Sequence, residues 1–184
     1  MHKTAVLGLA GEFLSGKSTA AAFYVQKFGA KKLRFSTVLD DILGILALPI
    51  TRDNEQKLAL CLREVFGEAV IAETLVKSVE SSKRGVFIVD GLRKYEEITV
   101  LKRLPNFKLI YIESSLQKRF ARLQGRDEKQ GEKILTLEQF AKSHEHESDK
   151  DVPKLKQYAN FVIDNDGTQE ALEQKLTQAL TESL

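Results

Sequence analysis

Tryptophan is absent from this 184-residue chain, methionine and cysteine occur once each, and proline only three times. With Cys61 alone, no intrachain disulfide can form, and a reducing, cytoplasmic setting is expected. Leu58, Leu62 and Val65 share its helical spacing, so Cys61 reads as a core residue. No apolar run approaches the roughly 20 residues that span a bilayer. Met1-His2-Lys3-Thr4 leads directly into an apolar stretch, so no signal peptide is expected. Excess charge is also missing: 28 Lys and Arg stand against 26 Asp and Glu, a net +2 that argues against a surface built to wrap a polyanion. There is no internal repeat and no low-complexity segment.

What is present is an ordinary globular composition, 42% hydrophobic and 29% charged, sized for one domain. Short apolar, β-branched runs alternate with longer helical patterns. The candidate strands are Thr4–Leu9, Lys32–Phe35, Val86–Asp90, Lys108–Glu113 and Asn160–Asp164. Strands separated by helices predict a three-layer α/β/α sandwich around a five-stranded parallel sheet. Leu39, Ile42, Leu43 and Leu46 form one helical stripe, with Ser36 or Thr37 as its N-cap. Leu58, Cys61, Leu62 and Val65 form a second stripe. Gly67 breaks the chain before a helix over about Glu68 to Val79, and Leu172, Leu176, Ala179 and Leu180 mark a C-terminal helix. Segment 36–83 would be the acceptor side. The charge-dense stretch from Gly125 to Lys150, which also carries Gly131, reads as a lid or as a solvated helical insertion.

Chemistry enters at the end of the first strand. Gly11-Glu12-Phe13-Leu14-Ser15-Gly16-Lys17-Ser18-Thr19 contains Gly-x-x-x-x-Gly-Lys-Ser, preceded by a strand and followed by a helix. Backbone N–H groups of such a loop wrap a β-phosphate at the positive end of the helix. Lys17 would reach the β- and γ-phosphates, and Ser18 would ligate Mg²⁺. This pattern calls for a bound nucleoside triphosphate, ATP. Val86-Phe87-Ile88-Val89-Asp90 ends a strand on a carboxylate that could hold the same Mg²⁺ directly or through water. Gly91-Leu92-Arg93 follows, and Arg93 could clamp a phosphate or pair with Glu96 or Glu97.

Arg119, Arg122 and Arg126 share a helical face, with Leu116, Phe120 and Leu123 opposite as an anchor on the core. Such a stripe suits stabilisation of a transferring phosphoryl group, or is simply a solvated face. Arg63 lies in the acceptor segment, either as an acceptor ligand or paired with Glu64 or Glu68. Glu12 could orient an acceptor group, though a solvent-facing side chain is the simpler expectation. His144 and His146 face different directions on a helix and are expected on the surface.

These motifs together resemble P-loop kinases of the nucleoside-monophosphate-kinase and dephospho-CoA-kinase group. Asp90-Gly91-x-Arg93 is similar to the Asp-Gly-x-x-Arg turn of adenylate kinases, one residue shorter. Ala159-Asn160-Phe161-Val162-Ile163-Asp164-Asn165-Asp166-Gly167-Thr168 is similar to the Ala-Asp-x-Val-Ile-x-Asn-x-Gly-Thr segment near the end of dephospho-CoA kinases. The resemblance implies that Asn165, Gly167 and Thr168 lie beside the donor adenine, with Arg119 on the donor as well. The Thr-Gly-Asp acceptor motif of adenylate kinases is absent. Ser36-Thr37-Val38-Leu39-Asp40 stands in its place, with Asp40 a candidate acceptor contact, and the acceptor stays open. The implied activity is Mg²⁺/ATP-dependent transfer of a γ-phosphoryl group to a small, nucleotide-like acceptor, in a monomer or small homo-oligomer without membrane or nucleic-acid partners. Dephospho-CoA is the competing acceptor. A nucleotide-switched binding protein or ATPase is the alternative of another class.

Overall fold

The computed structural model describes residues 4–82, 85–125, 136–143 and 150–184. Five parallel strands run in the order β2-β3-β1-β4-β5: β1 Ala5–Ala10, β2 Lys31–Arg34, β3 Val86–Asp90, β4 Phe107–Glu113 and β5 Phe161–Asp164. The helices are α1 Lys17–Phe28, α2 Phe35–Ile45, α3 Arg52–Phe66, α4 Val70–Glu80, α5 Tyr95–Leu101, α6 Leu116–Gln124, α7 Leu137–Ser143 and α8 Gln169–Thr181, with a 3-10 turn at Val152–Tyr158. The expected α/β architecture is therefore the observed one.

Central placement of β1 follows from its composition. All six residues are apolar or glycine and all are buried, as a strand covered on both faces requires. Alternation then sorts side chains to two cores. Leu7, Leu9 and Ile88 pack with Ala20, Ala21 and Tyr24 of α1 and Leu172 and Leu176 of α8. Val6, Phe87, Val89 and Leu109 pack with Phe35 and Leu39 of α2, Ile71 and Leu75 of α4 and Ile98 and Leu101 of α5. Tyr24 donates its hydroxyl to the Leu176 carbonyl at 2.8 Å, tying α1 to α8, and burial pushes its pKa up. This geometry brings the carboxyl ends of β1 and β3, with the start of α1, to one edge of the sheet.

Local expectations fail where tertiary packing outweighs the pattern. Phe35 opens α2 rather than closing β2. Its ring is buried, and the N-cap is Arg34 in extended conformation, so neither Ser36 nor Thr37 caps the helix. Leu46 lies beyond α2 and is exposed. Helix α3 is rotated from the expected stripe: Ala59 is buried, Leu58 and Leu62 are partly buried, and both Cys61 and Val65 are exposed. The helix after Gly67 starts at Val70. In α6 the buried residue is Arg119, while Leu116, Phe120 and Leu123 are only partly covered. Most of the 125–150 segment, with Arg126, Gly131, His144 and His146, lies outside the described residues. Its described part, α7, packs Phe140 against Phe120 of α6 with ring centroids 5.6 Å apart.

Candidate functional site

The loop between β1 and α1 is best understood by asking where its carbonyls go, because buried backbone groups need partners. Lys17 Nζ donates to the carbonyls of Gly11 and Glu12 at 2.6 and 2.7 Å. The Phe13 carbonyl accepts from Arg119 Nη1 at 3.5 Å, and that of Leu14 from Arg122 Nη1 at 2.9 Å. Asn165 Nδ2 donates to the Ser15 carbonyl at 2.8 Å. Five consecutive carbonyls, Gly11 to Ser15, are thus held by side chains from α1, α6 and the β5–α8 loop. In a trans peptide the N–H points opposite to the C=O, so Arg119 and Asn165 turn the Leu14 and Gly16 N–H groups away from themselves, while the Ser15 N–H donates to the Glu12 carbonyl at 3.1 Å.

Backbone shape follows the same logic. Gly11 has φ 143° and Gly16 φ 108°, values that L side chains rarely adopt. A Cβ at Gly16 would also lie 2.1 Å from Asn165 Nδ2, so the loop and the β5–α8 turn are built against each other. Leu14, at φ 62°, holds the left-handed region without glycine's freedom, and Arg122 fixes its carbonyl. Ser18 and Thr19 are exposed in the first turn of α1, where helix N–H groups lack intrahelical partners. The Ser15 hydroxyl is fully buried with no hydrogen-bond partner among the described residues.

An outer belt supports the donors. Arg119, 5% exposed, also donates Nε to the Ser114 carbonyl at 3.2 Å and pairs with Glu12 Oε1 at 2.9 Å. Glu12 therefore does not simply face solvent; it is the counter-charge of the buried arginine. Arg122 Nη1 reaches the Ser114 hydroxyl at 3.1 Å and Nη2 the Asn165 carbonyl at 2.5 Å. Asp166 Oδ1 accepts from the Ser114 hydroxyl at 2.6 Å and the Ser115 N–H at 2.9 Å, which holds its carboxyl below the usual range. Asn165 is buried beneath the loop, Gly167 is exposed, and Thr168 caps α8 by accepting from the Ala171 N–H.

Across the sheet edge, Asp90 ends β3 opposite Leu9 and pairs with Lys32 Nζ of β2 at 2.8 Å. Arg93 is half-buried just beyond, and its N–H and that of Lys94 donate to Glu97 Oε2 at 2.8 and 3.1 Å. Glu97, 1% exposed, also pairs with Arg63 Nη2 at 3.0 Å, so Arg63 meets a carboxylate 34 residues away and not the nearby Glu64 or Glu68. Burial pushes its carboxyl up against the pull of these donors. Asp40 sits on α2 within hydrogen-bonding reach of Glu55 on α3. Burial and Asp40 together raise the Glu55 carboxyl above its ordinary value. Asp40 Oδ1 and Arg63 Nε are buried without hydrogen-bond partners among the described residues.

Sequence reasoning missed Lys32, Ser114 and Asp166 as parts of this assembly, and named Glu97 as a partner of Arg93 but not of Arg63. Ser114-Ser115 ahead of α6 and Asp166 ahead of α8 carried a recognisable turn and cap signal; Lys32 carried none.

No protein-family model matches the chain. It is 29% identical over 95% of its length to the UPF0200/UPF0201 protein of Archaeoglobus fulgidus, of which it spans only about half, 54%. It is 27% identical to the UPF0200 protein of Methanoregula boonei, covering 95% of both chains. Among solved structures it is similar to a shikimate kinase from Bacteroides thetaiotaomicron, with a TM-score of 0.60, 16% identity and 97% of both chains covered. A gluconokinase from Sinorhizobium meliloti 1021 superposes with a TM-score of 0.59 at 12% identity, covering 99% of this chain and 94% of its own. The two structural likenesses show the fold alone: a parallel sheet between helices that this chain shares with these two kinases.

Proposed function

We propose that this chain is an ATP- and Mg²⁺-dependent phosphotransferase that moves a γ-phosphoryl group to a small, nucleotide-like acceptor. The observation that carries this reading is the Gly11–Ser18 loop ahead of α1, whose Phe13, Leu14 and Ser15 carbonyls are held by Arg119, Arg122 and Asn165 while Lys17 Nζ lies on those of Gly11 and Glu12. The small-molecule kinases that share the fold support it. Oxygen donors from Ser18 and Asp90 suit Mg²⁺, which keeps waters and phosphate oxygens in its shell. Among the described residues no cluster of three His, Cys, Asp or Glu could hold a metal alone, so the nucleotide's phosphates would complete the set. Bound there, the cation would neutralise charge on the transferring group.

The chain's own residues then supply positioning, which carries most of phosphoryl transfer. Lys17 would hold the β- and γ-phosphates, while Arg119, Arg122 and Asn165 keep the loop in shape. Arg126 would close over the transferring group, and Gly167 and Thr168 would border the adenine. Arg93, Arg63 and Asp40 would line the acceptor side. A second reading, a hydroxyl acceptor such as dephospho-CoA, is favoured by the Asp40–Glu55 pair. Asp40 has a buried oxygen without a hydrogen-bond partner among the described residues, a poor neighbour for an acceptor phosphate and a good acceptor for an O–H.

A coupled ADP-release assay over nucleoside monophosphates and dephospho-CoA, with a no-acceptor control and mass spectrometry of products, tests both. ADP release that depends on one acceptor and yields its phosphorylated form is expected. Hydrolysis indifferent to every acceptor would replace the kinase reading with an ATPase or nucleotide switch.

A further inference from the structure

Lys32 belongs to no motif, yet it touches the carboxylate on which the metal reading depends. The strand register explains how. Lys32 pairs with Ile88 and Arg34 with Asp90, so Lys32 lies two positions back along β2 from the end of β3. Ile88 faces the core under α1, and by strand alternation Asp90 projects to that same side, where α1 presents Ser18 in its first turn. The four-carbon stem of Lys32 spans the two positions and sets Nζ 2.8 Å from Asp90 Oδ2. The contact is sheltered: the Asp90 side chain is 15% exposed and that of Lys32 30%. Such a pair is stronger than a fully solvated one.

A carboxylate oxygen that binds a divalent cation directly cannot keep an ammonium at hydrogen-bond distance without placing two positive charges side by side. We infer that Lys32 is a built-in competitor of the divalent cation for Asp90: it neutralises the carboxylate before the metal–nucleotide arrives and is displaced when it binds. The inference rests on the nucleotide reading above. It assigns Lys32 to metal dependence rather than to simple pinning of the edge strand.

Mn²⁺ binding to the full chain in the presence of ADP, followed by electron paramagnetic resonance, separates the possibilities without any turnover. Lys32→Met should tighten Mn²⁺ binding about two- to fivefold, the worth of a partly exposed ion pair, and Lys32→Arg should stay near wild type. Asp90→Asn should weaken binding, and adding Lys32→Met to it should bring no gain. If Asp90→Asn weakens Mn²⁺ binding while Lys32→Met leaves it unchanged or weaker, Lys32 is only a strand contact and the inference falls alone. If Asp90→Asn itself has no effect, the assignment of Asp90 to the metal falls, and the inference with it.

Discussion

The proposed donor and acceptor sides differ in how far their buried polar groups are partnered. On the donor side every carbonyl from Gly11 to Ser15 has a partner, and Arg119 is buried with its charge matched by Glu12. The donor side's one buried polar side-chain atom without a hydrogen-bond partner among the described residues is the Ser15 hydroxyl, whereas on the proposed acceptor side both Asp40 Oδ1 and Arg63 Nε are so placed. Ile45, Leu46, Leu48, Ile50, Leu60, Val65 and Phe66 of α2, α3 and their connection stand exposed. A preorganised site costs no reorganisation when its ligand binds. The backbone of the donor loop fits that description, although Lys17 would have to leave the Gly11 and Glu12 carbonyls for phosphate; α2–α3 would be a wall that completes its contacts only on its ligand.

The sharpest way to break this contrast is Lys17→Ala. In the proposed function its ammonium would also serve phosphate, so kcat should fall about 10²- to 10³-fold, the cost of losing a preorganised donor. Stability in thermal unfolding should fall as well, by about 1–3 kcal/mol, because the Gly11 and Glu12 carbonyls lose their side-chain donor. Turnover close to wild type with ATP affinity unchanged would remove the donor assignment.

Next in size is the buried Arg63–Glu97 pair on the proposed acceptor side. Breaking a fully buried ion pair costs about 3–5 kcal/mol. Arg63 is 20% exposed, and solvent screening brings the expected loss for Glu97→Ala to roughly 2–3 kcal/mol. Denaturant unfolding measures it, and Arg63→Ala should cost less, because Glu97 would keep the Arg93 and Lys94 N–H donors. Equal losses for both variants would mean that the Arg63 contact, not the turn, is what Glu97 holds.

Asn165→Ala sharpens the donor half. Removing its amide leaves the Ser15 carbonyl without its partner and opens space beside Gly16. A stability loss of about 1–3 kcal/mol is expected, together with weaker ADP binding by calorimetry as the loop loosens. Lost stability with ADP affinity intact would reduce Asn165 to a packing residue.

How well each half could be read from sequence follows the same divide. The donor half is local and periodic. Strand β1, the Gly11–Ser18 spacing and α1 are contiguous, and contiguous patterns are what a sequence displays. Its supports are not contiguous: Glu12 meets Arg119 and Asn165 meets Ser15 across more than a hundred positions. The spacing of the arginines therefore announced a face but not what it touches. On the acceptor side, α3 offers two overlapping stripes that share Leu58 and Leu62. Only packing against α2 and α4 selects the one through Ala59 over the one through Cys61 and Val65. At the β2–α2 junction, the gain from burying Phe35 outweighs the capping preference of Ser36 and Thr37.

The smallest expected effect isolates one charge in the donor belt. Asp166 accepts from Ser114 and Ser115, and these hydrogen bonds hold its carboxyl below the ordinary value of 3.8. A depressed carboxylate stabilises the fold above its unfolded pKa, and that contribution is lost as pH falls from there through the folded value. Asp166→Asn retains an oxygen able to accept both hydrogen bonds and removes only the charge. Chemical denaturation across pH should find wild type slightly the more stable at neutral pH, with the gap closing below about pH 3.8 as Asp166 protonates. A gap that persists unchanged into acid would locate the effect in altered hydrogen bonding. The Ser114–Arg122 support of the loop would then depend on geometry and not on the Asp166 charge.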